Sequence, residues 1–222
     1  MSKLDYESLG LKVGLEIHQQ LDTEKLFCNC GSELIDEEGK EVVRELKPTA
    51  SEMGEIDAAA LMEAQKGFRF IYQFPEKSSC LVELDEEPPV GPNKRALDIA
   101  LKMALMLDSK IMDEIHFMRK IVIDGSNTTG FQRTSLIAMD GILEVDGKEI
   151  GIPTICLEED AARNIEKREN EKVYRLDRLG IPLIEIATDP DIKTPEEARE
   201  VAAVIGGLLR ATRQEKRGLG TI

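Results

Sequence analysis

Asp146-Gly147, set between the alternating runs 141–145 and 149–158, limits the possible folds of this chain more than any other feature. Asp-Gly is the two-residue turn whose backbone matches the twist of paired strands, so its flanks are expected to form an antiparallel hairpin. Further candidate strands lie at 12–20, 68–74, 114–123 and 131–138, and 172–177 with 182–187 reads as another strand pair. Helical periodicity appears at 55–66, stopped by Gly67, and at 93–107, after breaks at Pro88, Pro89 and Pro92. In the second of these Leu97, Ile99, Ala100, Met103, Ala104 and Leu107 form an apolar stripe. Thr194-Pro-Glu-Glu197 is a capping box with proline at the first helical position, and it opens a helix over 195–213. Strands cluster instead of alternating with helices, so the expected class is α+β, with an antiparallel sheet. Residues 1–222 read as one domain, within which 31–57 form an exposed acidic excursion.

With 43 acidic against 29 basic residues, the net charge of −14 argues against a sequence-independent grip on nucleic acid over the whole surface. A local basic patch is expected near Arg210, Arg213 and Lys216. Four cysteines do not make a disulfide framework, no apolar run approaches a membrane span, and the start has no secretory apolar region. A soluble, cytoplasmic protein is expected. Lys216-Arg-Gly-Leu-Gly-Thr-Ile222 reads as a turn leading into another strand, so a fragment of a longer chain is expected.

Glu16 and His18 alternate along the first strand and therefore project from one face, a metal-ligand or acid–base pairing. Glu185 sits mid-strand among Leu183, Ile184, Ile186 and Ala187, where a carboxylate must be paired, protonated or metal-bound; Arg178 is one candidate partner. Glu158, Glu159 and Asp160 end the return strand, and alternation lets at most one of the two glutamates join a given site. Such a site, rich in oxygen with one nitrogen, suits Mg²⁺ or Mn²⁺ and a nucleotide phosphate, with Lys120 and Arg178 available to neutralise it. The chain has no Walker A motif and no dinucleotide fingerprint. Cys28, Cys30 and Cys80 are three candidate zinc ligands, one short of closure, while Cys156 reads as a small core residue.

Four segments occur in one order: Val13-Gly-Leu-Glu-Ile-His-Gln-Gln-Leu21, Pro92-Asn-Lys-Arg-Ala-Leu97, Leu157-Glu-Glu-Asp-Ala161 and Asp177-Arg-Leu-Gly-Ile-Pro-Leu-Ile-Glu-Ile186. Together they resemble the B/E subunit family of tRNA-dependent amidotransferases over nearly the whole chain, and most closely its archaeal E branch. The resemblance implies a glutamine-synthetase/guanido-kinase-like cradle, an antiparallel sheet flanked by helices. It implies a ligase that uses ATP and Mg²⁺ to phosphorylate the γ-carboxylate of glutamate on tRNA(Gln). Ammonia from an asparaginase-like amidase partner, in a heterodimer, then displaces the phosphate. Carried over by position, the implied metal ligands are Glu16, His18, Glu159 and Glu185, with Lys120 and Arg178 as nucleotide-binding and catalytic groups.

Three positions depart from the bacterial-type pattern. Zinc-bearing members have a Cys-x-Cys and a later Cys-x-x-Cys, whereas here the last position of Cys80-Leu-Val-Glu83 is glutamate, which leaves a three-cysteine site with Glu83 as one form. The segment after Lys120 lacks the aromatic-proline pattern of the bacterial-type members, and Asp177 stands where they have asparagine. A non-catalytic module that binds tRNA or another protein of the complex, and a metal-dependent hydrolase, are the competing readings.

Overall fold

In the computed structural model, which describes residues 4–6, 8–46, 48–218 and 220–221, the Asp-Gly turn forms as expected. Asp146 and Gly147 both take positive φ, 51° and 76°, the type I′ geometry that joins twisted strands without splaying them. They link β6 (Phe131–Val145) to β7 (Lys148–Glu159), the longest strands described. The two runs expected over 131–145 are one strand, bent by a register shift between Leu136 and Ala138.

Around this hairpin the first sheet assembles antiparallel, in the order β1 (Glu16–Gln20), β10 (Pro182–Ala187), β7, β6, β4 (Lys110–Ile111), with β5 (Phe117–Ile121) also paired to β6. Helices α2 (Lys94–Met106) and α3 (Pro195–Thr212) cover one face. Their caps are those the residues dictate: the Asn93 side chain accepts from the Ala96 amide and Thr194 from the Glu197 amide. Ile99, Met103, Ile205 and Leu209 from the helices pack into one cluster with Ile155, Leu157, Ile184 and Ile186 from the strands, all essentially without solvent exposure.

A second sheet runs β2 (Lys40–Glu45), β3 (Arg69–Phe74), β9 (Glu171–Arg175), β8 (Arg163–Lys167). Its β3–β9 pair is parallel, the one departure from antiparallel pairing among the described strands. Phe70, Tyr72, Tyr174 and Leu176 form its own apolar cluster. Two expectations are corrected here. Residues 172–177 and 182–187 do not pair with each other: β9 joins the second sheet and β10 the first. The 31–57 excursion is not wholly irregular, because Val42 packs on the second cluster and β2 ladders onto β3. A charged strand that borrows its apolar contacts from elsewhere leaves no alternation to read.

The expected helix at 55–66 is α1 (Ala58–Gln65), capped by Asp57 and ended before Gly67 at φ 67°. The 122–130 loop between β5 and β6 is tied to the second sheet. The Lys172 ammonium and the Tyr174 hydroxyl each donate to the Asp124 carbonyl, both at 3.0 Å, and the Tyr72 hydroxyl to the Gly125 carbonyl at 2.7 Å. Gly125, at φ 86°, leaves no room for a side chain: an added Cβ would stand 2.1 Å from the Phe70 ring.

Gly125→Ala is expected to cost about 2–4 kcal/mol of unfolding free energy, since left-handed strain and overpacking act together. Gly147→Ala shares the positive φ but has nothing within 4 Å of its added Cβ, so about 1 kcal/mol is expected. Urea denaturation of both variants measures the difference.

Candidate active site

The antiparallel register decides which side chains meet. His18 lies opposite Glu185, Glu185 opposite Cys156, Thr134 opposite Glu158 and Lys120 opposite Gln132. Directly paired residues share a face, and so do residues two apart. Glu16, His18, Glu185, Cys156, Glu158, Thr134, Gln132 and Lys120 therefore occupy one face of the sheet, away from the helices.

On that face His18 Nε2 stands 3.0 Å from Glu185 Oε2, 3.5 Å from Glu16 Oε1 and 3.6 Å from Glu158 Oε1. Lys120 Nζ donates to Glu185 Oε2 at 3.2 Å and Glu158 Oε2 at 3.4 Å. Gln132 Nε2 and the Thr134 hydroxyl donate to the two Glu158 oxygens, at 2.8 and 3.0 Å. Side-chain exposure rises from 2% at Glu158 through 13% at Glu185 and 34% at His18 to 60% at Glu16, so the cluster is walled at one end and open at the other. The shape admits a ligand from solvent onto fixed carboxylates.

The charges are set by one another. The hydrogen bond from His18, helped by Lys120, holds Glu185 down at about 2 against the burial that opposes it. The same bond raises His18 above its ordinary value, with burial opposing and the charges of Glu185, Glu158 and Glu16 reinforcing. Lys120 is raised as well: burial works against the ammonium, and the Glu158 and Glu185 carboxylates outweigh it. Glu158 itself is raised because burial penalises its charge more than Lys120 repays. Near neutral pH the face holds a charged lysine beside an ionised Glu185.

Glu16, His18 and Glu185 can each present one donor atom with all three atoms within 4.8 Å of one another. Two carboxylates and one imidazole on a half-open face, with Glu158 alongside, suit a hard divalent cation such as Mg²⁺ or Mn²⁺.

The placement of Glu159 differs from the sequence expectation. It points through the sheet to the helix-covered side, where Arg133 NH1 bonds both its oxygens at 3.1 Å and the Arg133 amide a third time. Glu158 takes the place expected of it, because the residue two positions beyond Cys156 shares the Glu185 face and its neighbour cannot. Arg178 also lies off the cluster, and it is not the partner of Glu185. Its guanidinium donates to the Ala161 and Ala162 carbonyls, at 2.8 and 3.1 Å, and stands 3.6 Å from Asp160. Cys156 is no core residue: it faces the carboxylates half-buried, its thiol pushed up to about 11 by burial and by Glu185. Gln132 and Thr134 went unnoticed in the sequence, since only the pairing of β6 with β7 gives them a role.

A second cluster lies behind the sheet. Cys28, Cys30, Cys80 and Glu83 can place their donor atoms mutually within 4.8 Å. Two tight turns present them: the Lys25 amide closes on the Cys30 carbonyl at 3.0 Å, and the Glu83 amide on the Cys80 carbonyl at 3.1 Å. Three sulfurs and one oxygen fit a closed tetrahedral zinc site, so the fourth ligand missing from the cysteine count is available as Glu83. Burial, with Glu83 close by, raises the Cys28 thiol and pushes Cys80 up to about 11. A cavity of about 600 Å³, lined by Arg44, Tyr72, Phe117, Arg119, Asn127 and Phe131 among others, opens elsewhere, and none of the carboxylates of the open face lines it. The exposed carboxylate face, and not this cavity, is where charged chemistry is concentrated.

Residues 11–222 match the GatB/GatE catalytic domain family. The chain is 62% identical over 223 residues to the E subunit of glutamyl-tRNA(Gln) amidotransferase from Sulfolobus acidocaldarius. Over 222 residues it is 60% identical to the protein of the same name from Methanocaldococcus jannaschii and 59% to that from Pyrococcus furiosus. These alignments take in 99–100% of this chain and 35% of each relative, so the chain spans about a third of the length of the curated relatives it matches.

His18 is expected to titrate above its ordinary value of 6.5, and Glu185→Gln to bring it back toward that value, as NMR of the imidazole protons in the metal-free chain would show. The sign for stability follows. The His18 contribution is complete below 6.5 and fades as pH rises through the raised value. The Glu185 contribution is complete above 4.5 and fades as pH falls through about 2. The pair is therefore strongest between about 4.5 and 6.5, and a stability profile flat across both limits would contradict it.

Proposed function

This chain belongs to the GatB/GatE catalytic domain family, and we propose that it carries the ATP- and Mg²⁺-dependent activation of glutamate on Glu-tRNA(Gln). The activated glutamate is then amidated to Gln-tRNA(Gln). The whole of 1–222 acts as the catalytic cradle in this reading, its open sheet face being the floor. One observation carries it: Glu16, His18, Glu185, Glu158 and Lys120, from four strands, converge on a single half-open face.

Glu16, His18 and Glu185 would hold the Mg²⁺, with Glu158 next to them. Bound there, the ion supplies positive charge against the terminal phosphates of ATP. Lys120, ammonium on a half-exposed side chain, meets the γ-phosphoryl group as it passes to the glutamyl carboxylate and offsets its charge. That carboxylate is ionised at neutral pH, so no strong base is needed on the protein. Gln132 and Thr134 keep Glu158 from rotating away, which fixes the geometry in advance. Arg178, spent on the Ala161 and Ala162 carbonyls, serves by holding the 160–162 turn beside the floor and not by touching phosphate. Ammonia delivered by an asparaginase-like amidase partner attacks the acyl phosphate, forming the C–N bond as phosphate leaves. A cytoplasmic setting suits this work on tRNA.

The Cys28–Cys30–Cys80–Glu83 cluster is read as a structural Zn²⁺ site that ties the two turns behind the floor. A module that only binds tRNA or another protein would bury Glu16 and His18 in hydrogen bonds. The 60% exposure of the Glu16 side chain favours the catalytic reading instead.

In the full-length protein with its amidase partner, Lys120→Met and Glu185→Gln are each expected to lower formation of phosphoryl-glutamate on tRNA by about 10²–10³-fold. Glu158→Gln is expected to raise the Mg²⁺ concentration needed for half activity. Glu159→Gln should leave that concentration unchanged while lowering the melting temperature, since Glu159 is itself buried against Arg133. Phosphoryl transfer that survives both Lys120→Met and Glu185→Gln would remove the floor from the mechanism.

A further inference from the structure

Lys25 has no exposed surface at all, which is exceptional for a lysine, and nothing on the open face uses it. It belongs to the same turn as the cysteines: its amide bonds the Cys30 carbonyl at 3.0 Å, closing the loop that carries the Cys-x-Cys pair. Its ammonium donates to the Leu176 carbonyl at 3.0 Å and stands 3.7 Å from Glu83 Oε1. Among the described residues Lys25 is the one cation paired with Glu83. Glu83 is equally constrained. Its Oε2 accepts from the Cys80 amide at 2.7 Å, and its Oε1 accepts from the Cys28 thiol at 3.0 Å.

We propose that Lys25 is the built-in counter-charge and positioning residue of the Cys28–Cys30–Cys80–Glu83 site, aiming Glu83 Oε1 at the centre so that the fourth ligand is an oxygen. The inference rests on reading this cluster as a zinc site.

The argument is one of charge and geometry. A divalent ion held by three thiolates and a carboxylate leaves two net negative charges at a site where Cys28 and Glu83 are buried and Cys30 and Cys80 half-buried, so the excess is only partly solvated. One fully buried ammonium beside the carboxylate halves that excess. It sits next to the oxygen ligand and leaves the sulfurs free. Glu83 is held by both oxygens: the Cys80 amide donates to Oε2, and Oε1 faces the Cys28 thiol proton. Ion binding replaces that S–H···O bond and expels the thiol protons to solvent. Partners of this kind behind a ligand usually change metal affinity about 10–100-fold when removed.

The test uses the full chain and the variants Lys25→Met and Glu83→Cys, singly and together. Zn²⁺ affinity is read by competition with a chromophoric chelator, and Co²⁺ substitution reports the ligand set through its thiolate charge-transfer and ligand-field bands. Wild type is expected to bind one Zn²⁺ with a Co²⁺ spectrum of three sulfurs and one oxygen. Lys25→Met should bind about 10–100-fold more weakly, with the ligand-field bands shifted as Glu83 loses its aim. In the Glu83→Cys background the same lysine substitution should cost markedly less. Melting at saturating Zn²⁺ separates folding from affinity, and a Lys25→Met chain that cannot be saturated is replaced by Lys25→Gln. Unchanged affinity in Lys25→Met would overturn the role of Lys25 while leaving the zinc reading intact, and equal losses in both backgrounds would overturn its aiming of Glu83. A wild-type chain that takes up no Zn²⁺ would overturn both.

Discussion

Four strands in antiparallel register, β1, β10, β7 and β6, set the identity of both faces of the main sheet. Side chains alternate with a period of two, so a slip of one residue anywhere in that ladder would send Glu185 among the helices and Ile184 or Ile186 into solvent. Burial of Ile155, Leu157, Ile184 and Ile186 against α2 and α3 therefore locks the carboxylates onto the open side. The hydrophobic core does chemical work at a distance, by leaving Glu16, His18, Glu158 and Glu185 no alternative but to meet.

Bringing that many acids together in a chain of net charge −14 is costly unless each is answered. Every buried carboxylate described in the two clusters has a named partner. Glu185 has His18 and Lys120; Glu158 has Gln132, Thr134 and Lys120; Glu159 has Arg133; Glu83 has Lys25 and the Cys80 amide. The pairings sort the groups by purpose. Glu159 and Arg133 saturate each other on the covered side and have little left to offer a ligand. Lys120 bridges two acids with half its side chain in solvent, so it can exchange one partner for another.

The same sheet thus separates two kinds of site. Oxygen donors with a single imidazole gather on the open face, a set whose chemistry suits a hard divalent cation. Sulfur donors lie in the turns behind it, closed off by Glu83 and backed by Lys25, a setting for an ion that stays. The second sheet contributes by restraint: Tyr72, Tyr174 and Lys172 hold the loop that leads from β5 to β6, and so fix the approach of Lys120 to Glu158.

By itself the sequence determined the α+β class, the Asp-Gly hairpin, the three helices with the Thr194 cap, and a set worth joining of Glu16, His18, one of Glu158 and Glu159, Glu185, Lys120 and Arg178, of which Arg178 lies off the cluster. Each of these is local: a period, a turn dipeptide, a cap, or a polar residue in an apolar run. It also stated that Glu158 and Glu159 must face opposite ways, but not which faced the open side; Glu159, the one family resemblance named, lies on the covered side against Arg133. That choice depends on the β6–β7–β10 register, which couples residues far apart in the chain and leaves no mark within either strand. Strand β2 and the parallel β3–β9 pair escaped notice for the same reason, being held by partners supplied from elsewhere. Lys25 carries no local mark in the sequence, and only folding encloses it beside Glu83. Local geometry is written residue by residue, whereas opposition across a sheet and burial of a charge exist only once the chain has closed on itself.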